Sequence, residues 1–216
     1  MAAPNESTDP DPARTLAEAR RLADELRRII NRLTLVRPPA EDSAAAADAA
    51  SQFADRLDQM RERAGLWEVS ESGVEPRDFV EHSPLSGRSN PLAPPIIVDE
   101  PAHSGHRESV TGWVTFGAAY EGPPGHVHGG LVAAMFDELL GFAQQTTGFT
   151  GRLTVHYRRP TPLHQRLRIK AWPDREDGRK RLIKGTCHLG ETLLSEAEGL
   201  FIAPRDGDYK AVLGLS

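Results

Sequence analysis

The sequence predicts an α+β fold: a curved antiparallel sheet wrapped round a central helix, with a helical extension on its N-terminal side. Three observations predict it. The run LVAAMFDELLGFAQQ is apolar nearly all round, which suits a helix enclosed by other structure rather than one lying on a surface. One strand-like run, VTGWVTFGAAYEG, precedes it, and four follow: RLTVHYRRP, LRIKAWP, RLIKGTCHLGE and TLLSEAEGLFIAP. A single helix can hide all its faces only if such a sheet curls. The first sixty or so residues instead carry helical periodicity and small residues.

Taken in order, apolar residues fall at Leu16, Ala19, Leu22, Ala23, Leu26, Ile29, Ile30 and Leu33. That spacing makes one face of an amphipathic helix, with Arg20, Arg21, Arg27, Arg28 and Arg32 on the other. Pro38 and Pro39 stop it, because proline lacks the amide donor and clashes with the preceding turn. EDSAAAADAA is either a linker or the opening of a second helix through Phe53, Leu57, Met60 and Ala64. The pair reads as a packing arm, the alternative being a basic helix lying on a membrane. Six prolines between Pro76 and Pro101 leave no room for an interior strand. The expected division is a helical extension at 1–66, a proline-rich connection at 67–108, the sheet-and-helix domain at 109–205 and a tail at 206–216.

Composition narrows the classes. A hydrophobic content of 38% and a mean hydropathy of −0.46 imply that part of the chain is solvated. There is no run of about 18 apolar residues, so no transmembrane helix is expected. The first residues lack the basic and apolar regions of a secretory leader, and the expected location is cytoplasmic. A lone cysteine, Cys187, excludes an internal disulfide. The net charge of −5 argues against a nucleic-acid binder. Residues 152–184 nonetheless hold eleven Lys/Arg against three Asp/Glu, a segment that either greets an anionic small molecule or is a solvated strand face.

The chemistry concentrates in GPPGHVHGGLVAAMFDE, residues 122–138. Gly129 and Gly130 open the helix, where the first amides lack intrahelical partners and no Cβ blocks a ligand. The helix dipole adds positive character there, so the turn suits an anion or a developing oxyanion. Asp137 and Glu138 interrupt an apolar helix, and a buried carboxylate is costly unless paired or used. Neighbouring residues diverge by about 100°, so the two cannot enter one pocket. The bland alternative pairs one with an arginine and leaves the other to solvent. His126 and His128 find no third ligand at metal spacing, and neither metal nor cofactor is expected. No Gly-x-Ser-x-Gly occurs, and Cys187 sits where a core thiol belongs.

GPPGHVHGG with an aspartate beyond it resembles the hotdog-fold acyl-CoA thioesterases, in particular the PaaI-like and Them4-like branch. The likeness extends through SPLSGRSNPLAPPI upstream and through TGRLTVHYRRPTPL and SEAEGLFI downstream, covering roughly residues 80–204. The resemblance implies that Gly129 donates the oxyanion-hole amide, with Gly130 beside it in the substrate site. It also implies that Asp137 is the general base or nucleophile, that His128 shapes the turn, and that Thr150 assists. Gly122 departs from the pattern, since some relatives carry asparagine there. CoA phosphates would meet the basic stretch, with Arg158, Arg159 and Arg181 as candidates.

Spacing adds a further expectation. Gly129 and Asp137 lie eight residues apart, about 12 Å along a helix. An oxyanion donor and a base must both sit about 3 Å from one carbonyl. One helix therefore cannot serve one thioester alone, whereas two antiparallel helices of a two-fold dimer can. The expected protein is a fatty acyl-CoA thioesterase with a composite site, a homodimer or dimer of dimers. A non-catalytic acyl-CoA sensor or scaffold and a hotdog hydratase or dehydratase are the alternatives.

Overall fold

The computed structural model describes residues 11–60, 80–99, 109–144 and 148–205. Helices α1 (Pro12–Leu35) and α2 (Ala40–Asp58) come first, followed by strands β1 (Ile97–Val98) and β2 (Val110–Val114) and a 3-10 turn at Ala118–Tyr120. Helix α3 (Gly129–Ala143) precedes β3 (Phe149–Tyr157), β4 (Leu167–Asp177), β5 (Lys180–Leu189) and β6 (Thr192–Ile202). The strands form one antiparallel sheet in the order β1-β2-β4-β5-β6-β3, and α3 packs on β2 through β6. The sheet wraps the helix as the sequence predicts.

The α3 sequence explains its seat. Val132, Met135, Phe136, Leu139, Leu140 and Ala143 recur at helical spacing and are buried. They meet Ile169 and Ala171 of β4, Ile183 and Cys187 of β5, and Ala197 and Phe201 of β6 in one core. Each large side chain of that stripe contributes about 1.5–3 kcal/mol by leaving water. The enclosure is one-sided, however: Ala133, Ala134, Gly141 and Phe142, outside that stripe, are half-buried. The apolar face away from the sheet is less covered than the composition implies.

Two strands differ from their sequence signals. β4 continues through Pro173, where the ladder shifts register between Pro173 and Arg175; a bulge accommodates the missing donor. β1 is a two-residue edge strand inside the proline-rich segment. Ala93 and Ile96 of that segment are buried, so residues 80–99 form a strap across the domain.

Helix α1 docks differently from the amphipathic expectation. Leu16, Leu22, Ile29 and Leu33 of the apolar stripe are 38–60% exposed. Ala23 is the one fully buried member of that stripe, and the contact runs along Arg20, Ala23, Arg27 and Asn31. Arg20 grips Glu81 with two hydrogen bonds of 2.8 and 2.7 Å. Arg27, 9% exposed, donates to the carbonyls of Asn90 and Arg88. Asn31 accepts from the Ala119 amide at 3.1 Å. The reason is the surface being docked: the strap presents carbonyls and a carboxylate, which guanidinium groups satisfy and leucines cannot. In α2 no residue is buried.

Candidate active site

The turn before α3 is built from backbone bonds. The His128 amide donates to Tyr120 O at 2.9 Å, and the Gly122 amide to His126 O at 2.9 Å. A Cβ on Gly122 would lie 2.7 Å from the His128 Cα, so an asparagine at this position has no room in this backbone. His128 is the N-cap of α3: its Nδ1 accepts from the Gly130 amide at 3.1 Å. Because Nδ1 is the acceptor, the ring proton resides on Nε2. His126 Nδ1 lies 2.9 Å from Pro124 O in the same turn, so the two histidines have different partners.

With Gly130 capped, the Gly129 amide is left. It has no acceptor among the described residues, and it sits at the positive end of α3. A cleft of about 330 Å³ opens beside it. His126, Gly129, Val132, Tyr157, Arg158 and Arg159 are among its walls, and no carboxylate of the described residues is.

The carboxylates stand elsewhere. Asp137 accepts from the Thr150 hydroxyl of β3 at 2.8 Å. Glu138 accepts from the hydroxyls of Ser83 and Ser86, both buried in the strap. Among the described residues neither meets an arginine, so the bland alternative's pairing is not found there, and the two part in direction as adjacent helical residues must. Asp137 and Thr150 are thus brought together, and Gly129, Arg158 and Arg159 are brought together, at two separate places on the protomer.

The three arginines differ. Arg158 is held by Glu196, and its guanidinium keeps that carboxyl below the usual carboxylate range. Arg159 has no side-chain partner among the described residues and is exposed at the cleft. Arg181 is not brought to the cleft; it pairs with Glu176 across the β4–β5 hairpin at 3.4 Å. Sequence reasoning missed the serine pair on Glu138 and the Tyr157 hydroxyl on the Gly129 carbonyl. SPLSG was the available signal for the first, since two hydroxyls three residues apart in a tight loop can address one acceptor. No local signal marked the second.

A curled antiparallel sheet closed over one helix, with a glycine pair at the helix start, defines the hotdog class. The profile of the Thioesterase superfamily matches residues 124–180. A solved thioesterase superfamily protein is 32% identical, with a TM-score of 0.71, over 85% of this chain and 94% of that one. The chain belongs to the thioesterase superfamily. Curated relatives include acyl-coenzyme A thioesterase THEM4 of Bos taurus, 37% identical over 90 residues, 40% of this chain and 37% of that protein. The same enzyme of Xenopus laevis is 38% identical over 93 residues, 40% of this chain and 41% of that protein. The match thus spans about two fifths of the curated relatives' length.

Proposed function

We propose that the protein is an acyl-CoA thioesterase that hydrolyses a fatty acyl-CoA to free acid and CoA, working as a homodimer or dimer of dimers. The observation that carries the reading is the separation of the two half-sites. Among the described residues the cleft at Gly129 offers an unpaired amide, cations and an imidazole but no carboxylate, while Asp137 and Thr150 pair a carboxylate with a hydroxyl away from that amide. Two antiparallel copies of α3 complete each other, the Gly129 amide of one protomer facing the partner's Asp137.

In the completed site the Gly129 N–H, aided by the helix dipole, polarises the thioester carbonyl and stabilises the oxyanion as it forms. Asp137 attacks the carbonyl carbon or takes a proton from the attacking water, and the Thr150 hydroxyl fixes the carboxylate's direction. The tetrahedral intermediate collapses with loss of the CoA thiolate; where water attacked, the free acid results at once, and where Asp137 attacked, water then cleaves the acyl-aspartate anhydride to the free acid and restores the carboxylate. A thiol of pKa about 8.5 leaves without a strong general acid, so a site this sparse suffices. Arg159, with Arg158 beside it, meets the CoA phosphates. The reading puts the protein in the cytoplasm, as expected from its sequence. No helix among the described residues is long and apolar enough to cross a membrane.

Release of free thiol from acetyl-, octanoyl- and palmitoyl-CoA tests the proposal, with Asp137→Asn as the control. The wild type should turn over at least one of them. The amide, isosteric but not basic, should lower kcat by about a hundredfold or more with the fold intact. Turnover in Asp137→Asn equal to wild type would remove that carboxylate from the mechanism. An inert wild type that still binds CoA would point to a non-catalytic sensor.

A further inference from the structure

Strand β3 touches α3 by hydrogen bonds at both ends. Near its start Thr150 meets Asp137; at its last residue the Tyr157 hydroxyl donates to the Gly129 carbonyl at 2.8 Å. The phenol ring lies along the same glycine, 3.7 Å from where a Cβ would stand, and forms part of the cleft wall. Gly129 is the first residue of its helix: the peptide on its N-terminal side is held through the His128 carbonyl, which accepts from the Leu131 and Val132 amides at 2.9 and 3.3 Å, and Tyr157 adds a bond on its C-terminal side. Among the described residues Tyr157 is the one side chain bonded to a Gly129 backbone atom. The strand end carrying it is itself pinned, since the amides of Arg158 and Arg159 both donate to Leu194 O at 2.9 Å.

Resting on the thioesterase reading, we propose that Tyr157 is a positioning residue: by holding the Gly129 carbonyl it fixes the Gly129 Cα, and through it the direction of the N–H that the preceding His128–Gly129 peptide presents to the oxyanion. It acts through Gly129 and does not itself donate to the substrate carbonyl, because its proton is committed to Gly129 O. In the composite site, Tyr157 with Gly129 comes from one protomer, and the partner's Thr150 holds the partner's Asp137. Each β3 therefore serves two sites, one at each end. The Tyr157 hydroxyl governs the chemical step, whereas its ring governs the shape of the cleft.

Tyr157→Phe keeps the ring and removes the bond; Tyr157→Leu removes both. With the best substrate of the acyl-CoA panel, Tyr157→Phe should lower kcat about tenfold, as expected when a catalytic donor loses its orientation, with KM within about twofold. Tyr157→Leu should raise KM as well. A difluoromethylene-ketone analogue of that acyl-CoA, in which CF2 replaces the thioester sulfur and the carbonyl binds as its tetrahedral adduct, should lose affinity for Tyr157→Phe by the same factor as kcat. CoA itself should bind unchanged, and the melting temperature should hold. Wild-type kcat in Tyr157→Phe overturns the proposal and leaves the thioesterase reading standing. So does a fall in kcat with a matching fall in melting temperature and unchanged analogue affinity, which is a purely structural role. A wild type inert on the whole panel overturns both.

Discussion

Complementation between two dead homodimers tests the shared site most directly. The structure fixes the choice of variants. Gly129 stands at the first helical position, where proline is favoured, and the preceding His128 has φ −60° and ψ 129°, the extended backbone a following proline demands. The Gly129 N–H has no acceptor among the described residues, so proline removes only the donor aimed at substrate. Gly129→Ala is the matched control. Its Cβ would meet the Tyr157 ring at 3.7 Å, an ordinary contact, and its N–H survives, so it should retain most activity. Gly129→Pro and Asp137→Asn should each be inactive alone. Mixed at equal concentration with subunit exchange, about half the dimers are hybrids. One site of each hybrid has the Gly129 amide from the asparagine variant and the partner's Asp137 from the proline variant; its other site carries both defects. Half of the dimers with one working site of two gives about a quarter of wild-type activity. Thiol release measures it, and native mass spectrometry of the exchanged pool counts the hybrids. Verified hybrids without activity refute the composite site, because a donor and a base on one helix, about 12 Å apart, would then have to serve the same carbonyl.

Glu138→Ala should be a stability variant. Removing the acceptor strands the buried Ser83 and Ser86 hydroxyls, a cost of about 2 kcal/mol. The melting temperature should fall by about 4–8 °C, with kcat little changed, and Glu138→Gln, which keeps an oxygen, should lose less. An unaltered melting temperature in the alanine variant would mean the strap is not held there. Burial pushes the Cys187 thiol up to about 12, so it stays protonated and closed to thiol reagents at pH 8 until the chain unfolds. Since its folded value lies above the unfolded one, its contribution to stability is full below about pH 8.5 and is lost as pH rises toward 12. Labelling of Cys187 in the native protein at a rate matching the unfolded chain would contradict that burial.

The elements that hold the chemistry were legible because their rules are local. The apolar helix broken by two carboxylates, the glycine pair at its start and the order of one strand, one helix and four strands all follow from periodicity and turn residues. What escaped was decided by contacts distant in sequence. Nothing local says that Arg27 would bury itself on carbonyls 61 and 63 residues away while Leu33 faces solvent. Pro173 looked like a strand end because a bulge, set by the β4–β5 register, rescues it. The basic count over 152–184 singled out three arginines, and only the hairpin pairing separates Arg181 from the two at the cleft. Divergence of Asp137 and Glu138 was predictable from helix geometry, but their hydroxyl partners were not.

The side-by-side placement of Asp137 and Glu138 makes helix phase an address. One added residue anywhere between Gly129 and Asp137 turns the aspartate by about 100° and slides it by about 1.5 Å, away from Thr150. The residue arriving nearest the strap serines is then the wrong carboxylate, a methylene short. No compensating change of side chain restores the arrangement, because the error is in rotation and not in chemistry. The half-buried positions 131, 133 and 134 should therefore accept apolar replacements, whereas no insertion or deletion between 130 and 136 should be accepted. Seven residues between donor and base are a fixed ruler, whatever they are.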